Sequence, residues 1–176
     1  RVPESLQHFA TIIKLTPVSK HAGEAYFHLG NDAYGKEDFK AAAAAFQKAV
    51  ELSKGNAKEE LVIREKGLYK LGWTFYKQGE FAEANEEFNR QIEKSPNSTF
   101  AADGFFMRAE SLFQLKKYDQ AYKAFVAALP VVEGSETIDP KLVSLTHLHG
   151  AQAANMEKAF QSALDLATPL TEDEET

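Results

Sequence analysis

Apolar and small residues recur along this sequence at fixed intervals, and the intervals predict helices. Leu68, Leu71, Gly72 and Phe75 follow the i, i+3, i+4, i+7 stripe of a buried helix face. Gly79-Glu80 breaks that stripe, and Phe81, Ala84, Phe88 and Ile92 make the stripe of a second, antiparallel helix. The order returns along the sequence. Gly30, Gly72, Ala109 and Ala151 each stand sixteen residues before Phe46, Phe88, Phe125 and Ala167. An aromatic precedes the latter by seven (Phe39, Phe81, Tyr118, Phe160), and an alanine by four (Ala42, Ala84, Ala121, Ala163). Small residues let two helix backbones approach, and aromatics fill the space around the crossing. The last unit is degraded, with His147, Gly150, Ala151 and Ala154 on its first helix. Arg108 stands at a stripe position held elsewhere by Leu29 and Leu71, which suits a packed stem and a head reaching toward solvent.

Successive anchors are 42, 37 and 42 residues apart, so every feature also recurs at 79. Phe9 then matches Phe88, and Thr16-Pro17-Val18-Ser19 mirrors Ser95-Pro96-Asn97-Ser98, where the proline stops one helix and Ser98 is the expected N-cap of the next. The five extra residues of the longer units fall in Ser53–Glu60 and Glu133–Pro140, predicting longer connections or lengthened helices there. The expectation is an all-α fold: a right-handed α-solenoid of antiparallel helix pairs, about four and a half units in one domain over residues 1–170. Residues 2–15 would be the second helix of a truncated repeat, and 19–54, 57–95, 98–131 and 140–169 full repeats. The acidic stretch Thr171–Thr176 reads as a frayed tail or the start of a linker, since its charge opposes the helix dipole.

The formal charge of −6 argues against a nucleic-acid surface, which needs clustered Lys and Arg. There is no cysteine, hence no disulfide, thiolate nucleophile or Cys-type zinc site. No apolar run approaches the ~20 residues that span a bilayer, so direct membrane insertion is not expected. The sequence opens Arg1-Val2-Pro3 with neither an initiator Met nor a signal-like stretch, which points to a processed or excised piece from which a signal or anchor could have been removed.

The segment Leu68-x2-Leu71-Gly72-x2-Phe75, then Ala84-x3-Phe88, then Pro96 resembles the tetratricopeptide repeat, with Leu in place of the opening Trp. The resemblance covers about residues 2–170. The stretches Ser95–Ala102 and Thr16–Ala22 look more specifically like a bacterial subgroup that includes the periplasmic protein of the Tol–Pal system and the helical-repeat lipoprotein of outer-membrane barrel assembly. The departures are units of 42 and 37 residues, no Pro after Phe46 and a weak fourth unit. The resemblance implies a bacterial periplasmic or cell-envelope location, with the cytoplasm as the alternative. It also implies a non-enzymatic scaffold that binds a protein or peptide on the concave face. The competing expectation is a structural spacer of a longer repeat protein, with no ligand on this stretch.

The concave wall of such an array is made by the first helix of each pair. Positions facing away from the partner helix are Phe27, His28, Asn31 and Tyr34; Tyr69, Lys70, Trp73 and Tyr76; Phe106, Met107, Glu110 and Phe113; and Leu148, His149, Gln152 and Asn155. Two apolar columns flank a variable polar centre, which suits an extended or helical peptide. Lys66, Lys70 and Lys77 add a basic spot able to meet a ligand carboxylate, or else form a solvated face. Two readings of the aromatic columns stay open: a ligand groove, or packing of repeat on repeat. Accessible Tyr69, Trp73, Tyr76 and Phe106 would favour the groove; burial would favour the spacer.

No catalytic constellation is present: no HExxH, no Gly-rich phosphate loop, no nucleophile elbow. His147 and His149 are two apart on a helix and point to different faces, a poor metal pair. Neither an enzyme nor a cofactor is expected. At the N-terminal end, Phe9, Ile12 and Ile13 would be left uncovered by the missing helix, predicting end-to-end self-association through residues 2–15 or a preceding domain.

Overall fold

The computed structural model describes residues 4–135 and 138–172, and the residues following 172 in the acidic tail lie outside the described residues. Helices and connections make up the described residues, with no strand among them, as the all-α solenoid class requires. The protein forms two compact units, Arg1–Glu80 and Phe81–Thr176. The first holds α1 (Glu4–Leu15), α2 (Lys20–Gly35), α3 (Phe39–Leu52) and α4 (Lys58–Gln78). The second holds α5 (Phe81–Lys94), α6 (Ala101–Gln114), α7 (Tyr118–Glu133), α8 (Pro140–Met156) and α9 (Phe160–Glu172). Within each unit, consecutive helices pack on one another, and first helices also meet: α2 touches α4, and α6 touches α8.

The first helix of each repeat ends in the same way. Glu37, Gly79, Lys116 and Lys158 each stand seven residues past an anchor, and all four adopt left-handed φ of 61°, 78°, 59° and 60°. In every case the N–H of the left-handed residue and that of the next residue reach back to two carbonyls of the last helical turn. Glu37 donates to Tyr34 at 3.0 Å and Asp38 to Ala33 at 3.0 Å. The other three turns repeat this: Gly79 and Glu80 donate to Tyr76 and Phe75, Lys116 and Lys117 to Phe113 and Leu112, Lys158 and Ala159 to Asn155 and Ala154. This is the Schellman closure, which satisfies carbonyls that the helix itself cannot.

Packing in the first unit centres on Phe46, fully buried, with Phe27, Ala42, Ala43, Ala49 and Leu71 around it. Gly30 admits that ring: a Cβ there would lie 2.7 Å from Phe46 Cδ1. In the second unit Phe125 is the fully buried counterpart, and Ala102, Ala128 and Val132 form a cluster with Phe105, Leu142 and Val143.

The extra residues lengthen the first helix clearly in α4; in the last unit they are divided between α8 and the preceding α7, which has 16 residues against 14 for α3 and α5. α4 has 21 residues and α8 has 17, against 16 for α2 and 14 for α6. Ser19 caps α2, its Oγ accepting from Ala22 N at 3.2 Å. Ser98 does not play the same part for α6. That helix starts at Ala101 with Phe100 at the N-cap, while the Ser98 hydroxyl accepts from Phe100 N at 3.1 Å and from the buried Gln91 amide at 3.0 Å. The Ser98 hydroxyl thus holds the turn that precedes α6 and at the same time satisfies the amide of the buried Gln91. Phe9, Ile12 and Ile13 of α1 are half-buried rather than bare, with Phe9 stacked on His28 at 4.5 Å; Leu15 is the large hydrophobic that the described residues of that helix leave exposed.

Candidate functional site

In the first unit α2 and α4 flank a groove of about 540 Å³. Phe27 and Ile63 give it an apolar floor, and His21, Glu24 and His28 of α2 face Lys58, Glu59, Val62 and Lys66 of α4. The α4 side is contributed by the lengthened start of that helix. Ser53, at the foot of the groove, is held by Arg64, whose Nη1 donates to the carbonyls of Ser53, Lys54 and Gly55 at 3.1–3.3 Å. Ser53 is the C-cap of α3, so the guanidinium also stands close to the negative end of that helix, where a cation is favourable.

The residues expected to line the first-helix face are distributed unevenly. In the first unit Phe27 is buried, its ring 5.7 Å from Phe46, and serves as core. His28 lines the groove, and Asn31 and Tyr34 are half-buried. The Tyr34 ring lies edge-on to Phe39 at 5.4 Å and carries the Lys70 ammonium at 5.3 Å. Burial pushes the Tyr34 hydroxyl above its ordinary pKa. Lys66 and Lys77 are exposed, while Lys70 is half-buried on that ring, so the three lysines do not form one free basic spot. Tyr69, Trp73 and Tyr76 are half-buried, with Trp73 edge-on to Tyr76 at 6.0 Å.

In the second unit Phe106, Met107 and Glu110 of α6 are buried. Glu110 receives His149 Nδ1 of α8 at 2.7 Å and the Gln114 amide at 2.8 Å. A carboxylate accepts, so Nδ1 of His149 carries the proton. The imidazole lies among Phe106 at 5.8 Å, Phe125 at 6.1 Å and Phe113 at 6.3 Å. Phe113 is half-buried against Tyr118, and Gln152 is exposed. The ring and the carboxylate thus fasten one first helix to the next, so Glu110 and His149, expected as separate ligand contacts, are partners of each other. His147 points elsewhere, its ring nitrogens 3.1 Å from Leu166 O and from Glu133 Oε1.

Of the four aromatics whose exposure separates groove from packing, Phe106 is core and the other three are intermediate. Sequence reasoning missed the contribution of Lys58, Glu59 and Val62, because the extra residues were legible only as added length. A signal was present: the offset of 42 from Gly30 to Gly72 places those residues one turn beyond the shorter helices, alongside the start of α2. Among the described residues no group of three or more His, Asp or Glu could hold a metal ion, and no helix is long and apolar enough to cross a membrane.

Residues 23–56 and 69–135, together more than half of the chain, match two models of the tetratricopeptide repeat. Among solved structures, the apo form of RapI superimposes with a TM-score of 0.69 at 17% identity, over 84% of this chain and 53% of RapI, so the chain spans about half of that protein. BtubC from P. vanneervenii superimposes with a TM-score of 0.54 at 14% identity, over 96% of this chain and 86% of BtubC. At these identities the likeness is one of fold. No protein of curated function matches the chain in sequence.

Proposed function

The chain belongs to the tetratricopeptide-repeat family, and from that premise we propose that it is a non-enzymatic scaffold that binds a peptide or protein segment on the face carried by its first helices. The observation that carries this reading is the groove between α2 and α4. It is large enough for two or three side chains, apolar at its floor and charged along both rims. Those are the features of sites that take a peptide by apolar anchors and orient it by rim contacts. Val62, at 37% exposure, and the exposed Lys66 present themselves on one wall, and His28 on the other. Trp73 and Tyr76 extend the same helix toward its C-terminal end.

One observation favours the spacer instead: Phe27, Phe106 and Met107 are committed to packing, so part of one apolar column and one position of the centre are core. The two readings separate in a peptide-selection experiment on the intact protein. Peptides selected for binding are titrated against wild type and a Val62→Asp/Lys66→Glu variant, both positions lying outside the core. The scaffold reading expects affinity to fall by at least about tenfold with the helical circular dichroism unchanged. Peptides that bind the variant as well as wild type, or selections that return no binder, support the spacer.

The finer placement of the protein in a bacterial periplasm or cell envelope rests on the likeness of Thr16–Ala22 and Ser95–Ala102 to the envelope subgroup. Fractionation of the cells that make it tests this: recovery in the cytosolic fraction alone is the contrary result. Self-association through α1 is the companion proposal. It rests on exposed Leu15 and Val18 at that end and is tested by sedimentation.

A further inference from the structure

The second unit has another groove, of about 370 Å³, between α5 and α7 and over α6. It lies on the second-helix side and shares no residue with the groove of α2 and α4. Asn85 and Asn89 come from α5, Gln120, Lys123 and Ala124 from α7, and Arg108 and Leu112 from α6. No carboxylate lines it, in a protein with 26 acidic residues against 20 basic ones.

Arg108 is its centre. The position belongs to a core stripe where the neighbouring repeats carry Leu29 and Leu71, so the guanidinium sits at the edge of the core instead of in bulk water. Nη1 makes one long hydrogen bond, to Asn89 Oδ1 at 3.3 Å, and the guanidinium lies 5.4 Å from the Phe105 ring centroid. Nε is buried with no hydrogen-bond partner. No carboxylate among the described residues forms an ion pair with it. Burial accordingly lowers the Arg108 pKa. A desolvated cation with no counter-charge is costly to the free protein, and a counter-ion from outside relieves that cost.

We propose that this groove binds a carboxylate of a partner protein, carried by an Asp or Glu residue or by a free C-terminus, which pairs with the Arg108 guanidinium. Asn89 takes one long hydrogen bond from Nη1, so N–H groups at the Nη end of the fork remain to donate to a carboxylate entering the groove. The side-chain amides of Asn85 and Gln120 can donate to the remaining lone pairs. The charge count favours a carboxylate over phosphate. Lys123 is already paired with Asp119 at 2.8 Å, so the groove offers one uncompensated positive charge, a match for a monoanion.

The test uses the intact protein labelled with nitrogen-15 and follows the arginine Nε–H resonances, of which the four arginines give few. Three probes are titrated at matched ionic strength: acetyl-Ala-Glu-Ala-amide, acetyl-Ala-Ala-Ala with a free C-terminus, and inorganic phosphate. The expected result is a saturable shift of the Arg108 resonance with at least one of the two peptides; which one responds identifies an acidic residue or a C-terminus as the source. Arg108→Met fits the apolar stripe, keeps the fold and should weaken the peptide at least about tenfold. Arg108→Lys keeps the charge, loses the fork and should also weaken it. The proposal is overturned if neither peptide gives a saturable shift, if phosphate alone does, or if Arg108→Met binds the peptides as wild type does. None of these outcomes bears on the α2–α4 groove, so the two proposals stand or fall separately.

Discussion

Three of the four left-handed turn positions carry a residue with a Cβ, and replacing them with glycine should stabilise the protein. An L-residue held in left-handed helical geometry costs about 1–2 kcal/mol. Glycine removes that cost but loses about 0.5–1 kcal/mol through the greater freedom of its unfolded state. The net expectation is about 0.5–1 kcal/mol per site. Glu37, Lys116 and Lys158 are exposed and make no side-chain hydrogen bond or ion pair among the described residues, so little else is lost. They lie in different repeats without shared partners, and their effects should add. Glu37→Gly/Lys116→Gly/Lys158→Gly is therefore expected to gain about 1.5–3 kcal/mol, a rise in melting temperature of about 3–12 °C for a protein of this size. Gly79→Ala is the mirror experiment and should lose about 1 kcal/mol, because nothing crowds its Cβ and only the backbone term changes. Thermal melts followed by circular dichroism measure both. A triple variant that melts at or below wild type, or a Gly79→Ala protein that melts above it, would show that these turns are not strained.

Other expectations follow from single contacts. Burial raises the Glu87 pKa against the opposing pull of Arg90. The folded state then holds that proton more tightly than the unfolded state, so the ionised group subtracts stability above its raised pKa, and the deficit fades as pH falls through it. Glu87→Gln should thus melt higher than wild type at pH 7 and equal to it near pH 4; an equal or lower melt at pH 7 contradicts this. For Glu110 and His149, a double-mutant cycle with Glu110→Ala and His149→Ala should give a coupling of about 1–3 kcal/mol in urea unfolding, whereas additive losses would mean that the 2.7 Å contact contributes nothing. Arg64→Met removes the hold on three carbonyls of the Ser53–Gly55 turn, with an expected loss of about 1–2 kcal/mol; hydrogen exchange confined to that turn should rise, and unchanged protection there argues against the role.

The helices were legible because anchors such as Gly30, Phe39, Ala42 and Phe46 hold their spacing through every unit, and the physics of a crossing admits few residue types at such positions. The turns were less legible: Gly79 announces a left-handed residue, whereas Glu37, Lys116 and Lys158 give no compositional hint. For Ser98 a local rule places the N-cap two residues before the Phe100 that holds it, and it cannot see that the same hydroxyl also serves Gln91, seven residues earlier. At the candidate site, periodicity reports which way a residue points from its own helix and is silent on what the next repeat lays over it. Phe27 and Tyr34 belong to the same expected face, yet one is core and the other half-buried. Glu110 and His149 could have been joined, since they are separated by nearly one repeat and sit on successive first helices.

Within each unit, every helix packs on its sequence neighbours or on the next but one. Contacts so close in sequence require only short loops to be closed before they form, and such topologies fold quickly. A repeat can then be added, lost or exchanged without repairing a distant contact. The Arg108 groove, built from three consecutive helices, could travel with them as one inherited segment.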